Sequence, residues 1–244
     1  MKYISIMGDS ISTFYGFNPE GYSVFYDEYN AERNSLTSVN DTWWVKVSRF
    51  FRAHISVNNS YSGSKAVGAE FPSASSPERT SYLHRKHKYP DIILIYIGFN
   101  DFGDGIEITN SKSDNSSFFN AYYNMLMQIK TNYPKSRIIC GTLMQGYIKD
   151  NPDWEFPQKW AEISIYEYNA AIKIAAQLSG VEVADLAAAN IRYETLDGTH
   201  PTKDGHITMS KVWISCLTEK VNKSRIREML KWQKITSENE NAIP

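Results

Sequence analysis

The sequence has few cysteines and almost no net charge. Its two cysteines, Cys140 and Cys216, are too few and too far apart for a disulfide framework or a cysteine zinc site, which predicts reduced, buried thiols. The 26 Lys and Arg residues against 27 Asp and Glu residues leave a formal net charge of −1. A near-neutral chain has no overall electrostatic attraction for nucleic acid or for an anionic membrane surface. We therefore expect no nucleic-acid partner.

Long hydrophobic runs are also missing. The longest, Ile92–Phe99, is far short of the ~20 residues that a membrane-spanning helix needs, so no membrane span is expected. The segment Met1–Met7 leads directly into Gly8 without the apolar region and cleavage site of a secretory leader, which favours a cytoplasmic location. No phosphate-binding loop, Gly-x-Gly-x-x-Gly motif or Cys-x-x-Cys pair occurs. We expect neither a cofactor nor a metal.

The composition is that of a folded protein, with 42% hydrophobic and 22% charged residues. The length suits a single α/β domain, which we place at residues 1–235, followed by a disordered tail over residues 236–244. Short apolar runs predict five strands. They are Tyr3–Met7, Ile55–Val57, Ile92–Ile97, Ile138–Cys140 and Val181–Ala184.

The segments between these runs carry apolar residues at three- and four-residue spacing, which predicts amphipathic helices. They are Thr42–Phe51, Phe118–Thr131, Ile163–Leu178 and Gly205–Val221. Strands that alternate with helices indicate a mainly parallel sheet covered on both faces, with ligands bound beyond the carboxyl ends of the strands. The long loop 13–40 contains seven aromatic residues, which are compatible with a pocket wall and equally with anchoring of the loop to the core.

Several polar residues follow the predicted strands directly. Ser10 comes after the first strand, where its hydroxyl would emerge at the carboxyl edge of the sheet. Asp197 and His200 share one short loop, and an imidazole held by a carboxylate can remove the proton of a serine hydroxyl. Gly63 and Asn100 also follow strands, and they can offer a backbone N–H and a side-chain amide to an oxyanion.

These residues fall within four blocks that resemble the signature blocks of the SGNH, or GDSL, hydrolases. The blocks occur in the family's order and at compatible spacing; they are Gly8-Asp9-Ser10, Gly63 in Asn59–Gly63, Gly98-Phe99-Asn100-Asp101 and Asp197-Gly198-Thr199-His200. The chain has Ile11-Ser12 where the family's name motif has Leu, often followed by Thr, which leaves the chemistry unchanged. A Gly-x-Ser-x-Gly elbow, typical of the larger α/β-hydrolases, is absent.

The resemblance implies a flavodoxin-like three-layer α/β/α sandwich with a mainly parallel five-stranded sheet, and a serine esterase or acyl hydrolase that uses no metal. It also implies the role of each residue. Ser10 would be the nucleophile, His200 the base and Asp197 its orienting carboxylate. The oxyanion hole would consist of the backbone N–H groups of Ser10 and Gly63 and the side chain of Asn100.

Other polar residues near these blocks are expected to have structural roles. Asp9 and Asp101 would cap helices or brace loops, as Asn59 would brace the Gly63 turn. His206 begins a predicted helix, where packing or capping is expected. The pair His84 and His87 has a spacing that can chelate a metal on a helix, but neighbouring cations favour a solvated face.

Among ester substrates, we favour a small acyl group, such as acetyl, on a carbohydrate. The reason is that the loops are rich in Tyr, Trp, Asn and Ser and poor in Leu, Ile and Val; the tryptophans include Trp43, Trp44, Trp154 and Trp160. A lipase, lysophospholipase or thioesterase that accepts longer acyl chains is the alternative within hydrolases. An acyltransferase and a non-catalytic carbohydrate-binding module are the alternatives from other classes.

Overall fold

A computed structural model describes residues 1–109, 115–151, 153–157 and 159–218, without the side chains of residues 159 and 160. The predicted tail over residues 236–244 lies outside this part of the chain. Nine strands occur in the described residues: β1 (Lys2–Gly8), β2 (Ala53–Ser60), β3 (Ile92–Tyr96), β4 (Arg137–Gly141), β5 (Gly146–Ile148), β6 (Lys159–Trp160), β7 (Ile163–Ser164), β8 (Glu182–Ala184) and β9 (Tyr193–Thr195).

The central sheet contains five strands in the spatial order β2-β1-β3-β4-β8, and every neighbouring pair is parallel. Numbered along the chain, this order is 2-1-3-4-5, which is the flavodoxin-like order. All five predicted strands are confirmed. The central strands are nearly continuous apolar runs, such as Ile-Ile-Leu-Ile-Tyr in β3, because both faces of a parallel sheet are covered.

The helices are α1 (Ala31–Asn34), α2 (Trp43–Phe50), α3 (Pro77–Ser81), α4 (Phe99–Gly103), α5 (Phe118–Asn132), α6 (Ile165–Ser179) and α7 (residues 203–218). Three of the four predicted helices are confirmed as α2, α5 and α6, and the fourth is confirmed as α7 up to residue 218. The bounds of α6 follow from its sequence. Ser164 and Glu167 form a capping box at its start, and Gly180 adopts the left-handed conformation at its end.

The helices form a layer on each face of the sheet. On one face, Trp43 of α2 stacks on Trp213 of α7 with ring centroids 5.2 Å apart, and neither side chain is exposed. On the other face, α5 packs against both α3 and α6. The architecture is therefore the predicted three-layer α/β/α sandwich. Within the described residues, no helix is both long and apolar enough to cross a bilayer.

Two smaller strand pairs lie outside the central sheet and were not predicted. Strands β5 and β9 pair in parallel, whereas β6 and β7 pair antiparallel. The β5–β9 pair holds the chain just before Asp197 against the loop that follows β4. Gly146 is required at this contact, because a Cβ there would lie 2.6 Å from the carbonyl oxygen of Gly198.

Candidate active site

Ser10 lies at the carboxyl end of β1, as predicted. It begins a short 3₁₀ helix, Ser10–Ser12, whose N-cap is Asp9; the Asp9 Oδ1 atom accepts a hydrogen bond from the backbone N–H of Ile11 at 3.0 Å. Only 9% of Ser10 is exposed. Gly8 allows close packing at the end of the strand, since a Cβ at this position would lie 2.9 Å from the carbonyl oxygen of Tyr96.

The structure brings Ser10, His200 and Asp197 into one series of hydrogen bonds, although 190 positions separate Ser10 from His200. The Nε2 atom of His200 lies 2.8 Å from Ser10 Oγ, and its Nδ1 atom lies 2.7 Å from Asp197 Oδ2. The other carboxylate oxygen, Asp197 Oδ1, accepts the backbone N–H groups of Thr199 and His200 at 3.0 and 2.8 Å. The loop therefore fixes the carboxylate, and the carboxylate fixes the imidazole.

Asp197 is ionised over the whole neutral range. Partial burial opposes its charge, but hydrogen bonds from the side chain and backbone of His200 and from the backbone of Thr199 outweigh burial and lower the pKa of Asp197 to about 2. A carboxylate can only accept a hydrogen bond, so the His200 Nδ1 atom carries the proton. The His200 Nε2 atom then accepts from the hydroxyl of Ser10.

The ring of Phe25 covers one face of His200. Their centroids are 3.6 Å apart and their planes differ by 1°. The loop that carries Phe25 is tied to the short helix of Ser10, because Thr13 Oγ1 accepts the backbone N–H of Phe25 at 2.9 Å and donates to the carbonyl oxygen of Ser10 at 2.8 Å. In the sequence, nothing distinguishes Phe25 from the other six aromatic residues of this loop.

Gly63 lies in a turn that rests against the end of β1. It has a φ of 73°, which favours glycine. The backbone N–H of Tyr61 donates to the carbonyl oxygen of Gly8 at 3.3 Å, and the N–H of Ser64 donates to the carbonyl oxygen of Tyr61 at 3.2 Å. Within the described part of the chain, the backbone N–H of Gly63 has no acceptor. The same holds for the backbone N–H of Ser10.

Asn100 reaches the same turn from the other side. It lies in the first turn of α4, directly after β3, and its Nδ2 atom donates to the carbonyl oxygen of Ser64 at 2.9 Å. An amide nitrogen has two hydrogens, so one N–H is left for a ligand. The three groups predicted as oxyanion donors therefore gather around the end of β1, with at least one unused N–H each.

The two neighbouring aspartates have structural partners, as expected. Asp9 caps the helix of Ser10, and Asp101 accepts the backbone N–H groups of Ala66 and Val67 at 2.9 and 3.1 Å, which braces the loop after Gly63. Burial raises the pKa of each carboxyl to about 6 against the hydrogen bonds that it accepts.

Sequence comparison assigns the chain to a known family. A sequence profile described as GDSL-like lipase/acylhydrolase matches residues 2–152, more than half of the chain. The chain belongs to this family. The match contains Ser10, Gly63 and Asn100 and ends before Asp197 and His200. No curated protein matches the chain in sequence.

Solved structures share the fold of this GDSL-family hydrolase over most of its length. A protein described as a GDSL-like lipase from Bacteroides uniformis ATCC 8492 has 26% identity and a TM-score of 0.70, with 90% of this chain and 96% of that chain covered. A second protein with the same description, from Bacteroides ovatus ATCC 8483, has 24% identity and a TM-score of 0.70, with 90% of this chain and 99% of that chain covered. Est24, a carbohydrate acetylesterase from Sinorhizobium meliloti, has 16% identity and a TM-score of 0.58, with 90% of this chain and 99% of that chain covered.

Arg79 is a buried residue beside Ser10 and Gly63 in this GDSL-family protein, and no sequence motif predicts it. Its side chain is fully buried and donates to the carbonyl oxygens of Gly8, Asn59 and Pro72, to Ser64 Oγ and to the side chain of Asn59. It therefore joins the ends of β1 and β2 to the Gly63 turn. Asn59, expected to brace this turn itself, does so through Arg79. No local pattern marks Arg79, because its acceptors come from three separate segments.

Two of the four tryptophans counted among the loops in favour of a carbohydrate are instead part of the hydrophobic core. Trp43 and Trp44 have no exposure, so counting them as pocket residues is wrong for both. They lie on the inner face of α2, where the helical spacing of apolar residues is explained by packing against the sheet. Trp154 is half-buried over Gly198, where a Cβ would lie 2.4 Å from its ring. The side chain of Trp160 lies outside the described part.

Three further histidines of this GDSL-family hydrolase take no part in the hydrogen bonds between Ser10, His200 and Asp197. His206 is buried, and its Nδ1 atom accepts the backbone N–H of Trp43 at 3.2 Å. His84 stacks on Tyr89 with ring centroids 4.1 Å apart, and His87 is exposed in a turn rather than on a helix. In the described residues, no group of three His, Cys, Asp or Glu side chains is placed to hold a metal ion.

Proposed function

We propose that this GDSL-family hydrolase is a serine esterase that removes a small acyl group, most directly acetyl, from a hydroxyl of a carbohydrate through an acyl-Ser10 intermediate. The observation that carries the proposal is the series of hydrogen bonds from Ser10 Oγ to His200 and from His200 to Asp197. A serine, an imidazole and a carboxylate in this order are the parts of nucleophilic acyl transfer.

In the acylation step, His200 Nε2 removes the proton from Ser10 while Ser10 Oγ attacks the carbonyl carbon of the ester. The carbonyl oxygen gains negative charge. The free N–H groups of Ser10, Gly63 and Asn100 are the donors available to stabilise it. When the tetrahedral intermediate collapses, the ester C–O bond breaks and the alcohol leaves with the proton that His200 has held.

In the deacylation step, water repeats the same sequence on the acyl-Ser10 ester. His200 Nε2 removes a proton from water, the resulting hydroxide attacks the acyl carbon, and Ser10 regains the proton when the acid leaves. Asp197 stays ionised in both steps because its pKa is held at about 2. It fixes the imidazole tautomer and stabilises the imidazolium that forms twice in each cycle.

The surroundings of the Gly63 turn favour a short acyl chain. A cavity of about 600 Å³ adjoins Gly63 and contains no Leu, Ile or aromatic residue. Its lining consists of small or polar residues, apart from Val67 and Pro72. A long acyl chain would need a broad aliphatic surface to leave water. The fold itself is compatible with a short or a long acyl chain, because similar structures are described as lipases and as a carbohydrate acetylesterase.

The first test compares hydrolysis of p-nitrophenyl acetate and p-nitrophenyl octanoate. We expect wild type to prefer acetate, and Ser10→Ala to lose nearly all turnover while keeping the wild-type melting temperature. Ser81→Ala, which removes an exposed hydroxyl of α3, is the matched control and should keep full activity. A preference for octanoate would overturn the small-acyl assignment, and turnover that survives Ser10→Ala would overturn the nucleophile.

The second test addresses the alcohol. Peracetylated xylo-oligosaccharide and lysophospholipid are offered in parallel, and released acetate and fatty acid are quantified. We expect Ser10-dependent release of acetate alone. Transfer of acetyl to an added sugar acceptor in excess of release to water would identify an acyltransferase instead. Saturable sugar binding by wild type with no turnover of any ester would identify a binding module.

A further inference from the structure

A second concave site lies outside the hydrogen-bonded residues of the active site. It is a cavity of about 720 Å³ between the loop that follows β1 and the outer strand β2. Its lining does not include Ser10, Asp197 or His200. This volume falls within the roughly 300–1,000 Å³ of small-molecule sites. The proposed esterase chemistry makes no use of this cavity.

The walls of the cavity are exposed aromatic rings. Tyr15, Phe17, Tyr22 and Tyr82 each line it and are 42–59% exposed. Large rings gathered at one solvent-facing concavity mark binding surfaces. Flat rings with a polar tip suit the faces of sugar rings, which present C–H groups framed by hydroxyls. The aliphatic lining is confined to Val24, Val57 and Pro19, too little for a lipid chain.

Two of these rings are held in place from behind. Tyr22 packs edge-on against Tyr61 and Phe71, with centroids 4.9 and 5.3 Å away. Phe17 packs in the same way against Phe14, and it also contacts the buried Trp44. Because these contacts order the rings without a ligand, binding would cost little side-chain entropy.

The floor of the cavity is equally rigid. Asn58 donates from Nδ2 to the carbonyl oxygen of Ser12 at 2.7 Å, and Asn18 donates from Nδ2 to the carbonyl oxygen of Ser60 at 2.8 Å. Within the described residues, by contrast, the hydroxyls of Tyr15, Tyr22 and Tyr82 have no hydrogen-bond partner. The hydroxyls remain for a polar ligand, whereas the amides maintain the fold.

Positive charge lies at one side of the cavity. Arg85 lines it and begins an exposed basic turn that continues with Lys86 and Lys88. None of these three cations pairs with a carboxylate in the part of the chain that the structure describes. Glu20 is the single acidic residue of the lining. A guanidinium with free donors matches the geometry of a carboxylate.

We propose that this cavity binds an acidic oligosaccharide, with sugar rings against the aromatic walls and a uronate carboxylate on Arg85. The site is separate from the residues that carry the esterase proposal, and its ligand need not be an ester. Held at this surface, an acidic glycan would dock on the enzyme independently of the reaction at Ser10.

The test measures binding rather than turnover. Isothermal titration of the Ser10→Ala protein with a tetramer of α-1,4-linked galacturonate is compared with titration by maltotetraose. We expect saturable binding of the acidic tetramer, at least about tenfold tighter than the neutral one and weaker at higher salt. Arg85→Gln should remove this preference, and Tyr82→Ala should weaken both ligands. Arg52→Gln, which removes another exposed arginine outside the cavity, should change neither affinity.

Three results of the titrations would overturn the proposal. The first is equal affinity of the protein for the two tetramers. The second is an equal loss of affinity for the acidic tetramer in Arg52→Gln and Arg85→Gln. The third is displacement of the acidic tetramer by an equal concentration of inorganic phosphate, which would mark a simple anion site. Chemical-shift changes should fall at Tyr82 and Arg85; changes confined to residues 197–200 would move the glycan to the active site and refute a second site. Release of acetate from esters tests the esterase proposal separately.

Discussion

The ring of Phe25 lies parallel to the imidazole of His200, with a centroid separation of 3.6 Å and an angle of 1° between the planes. This contact leaves both ring nitrogens free to bond in the plane, one to Ser10 and one to Asp197. Phe25 therefore restricts rotation of the imidazole without competing for its hydrogen bonds. It also covers one face of the ring against water.

We predict that Phe25→Leu lowers kcat for p-nitrophenyl acetate about two- to tenfold, because an aromatic contact contributes roughly 0.5–1.5 kcal/mol beyond its area. Phe25→Tyr keeps the stacked face and should retain nearly all activity. Phe50→Leu, a change at an exposed phenylalanine of α2, is the control for a general loss of aromatic packing. Equal rates in Phe25→Leu and wild type would show that the hydrogen bonds alone position His200.

Most of the fold follows from the sequence because its signals are local. The apolar runs of β1 to β4 and β8 and the helical spacing in α5 and α6 are set by burial of each element's own residues. Ser10, Gly63 and Asn100 are predictable because parallel strands end at one edge. Arg79 and the stacking of Phe25 are not, since each depends on contacts between segments distant in the chain. Trp43 and Trp44 are predicted as pocket residues but belong to the core, because residue type alone does not tell a core tryptophan from one in a pocket.

The side chain of Asn100 provides the second prediction. Its Nδ2 atom donates to the Ser64 carbonyl at 2.9 Å and has one N–H left for the proposed oxyanion. We predict that Asn100→Ala lowers kcat by on the order of 10²–10³, with KM changed only a few-fold, because the lost interaction is made in the transition state. Asn132→Ala, at an exposed asparagine at the end of α5, should leave the kinetics unchanged. An unaltered kcat in Asn100→Ala would remove Asn100 from the oxyanion hole.

Arg79 leads to a prediction about stability. Burial lowers its pKa to about 10, so the guanidinium stays charged at neutral pH, and it binds three carbonyl groups in the interior. We predict that Arg79→Met costs about 3–5 kcal/mol in the free energy of unfolding, because these buried acceptors lose their donor. Urea denaturation measures this cost.

Arg79→Lys separates charge from geometry. A lysine keeps the charge but cannot reach all the acceptors of a planar guanidinium, so we expect an intermediate loss of stability. We also expect a lower kcat with little change in KM, since the Gly63 turn loses its support. Arg49→Met, at an exposed arginine of α2, should cost less than about 1 kcal/mol. If Arg79→Met also lost less than about 1 kcal/mol of stability, water would have replaced the guanidinium as the donor to these carbonyl groups.

Asp9, beside Ser10, gives the protein a pH-dependent stability. Its carboxyl is almost fully buried, its Oδ2 atom has no partner in the described part of the chain, and burial raises its pKa from 3.8 to about 6. Between these two values the folded protein keeps a proton that the unfolded chain releases. The contribution of Asp9 to stability therefore falls as pH rises from about 4 to 6 and stays low above that range.

Asp9→Asn removes this titration while its Oδ1 atom can still cap Ile11. We predict that the variant and wild type have similar free energies of unfolding at pH 4, and that the variant is more stable at pH 7 by up to about 3 kcal/mol. The contribution of His206 to stability rises with pH instead, because burial lowers its pKa to about 3. His206 is present in both proteins, so its contribution cancels in the difference between them. Urea denaturation of both proteins at each pH measures the difference. A difference that is constant from pH 4 to 7 would show that Asp9 is ionised throughout, and that His200 and Arg79 already compensate its buried charge.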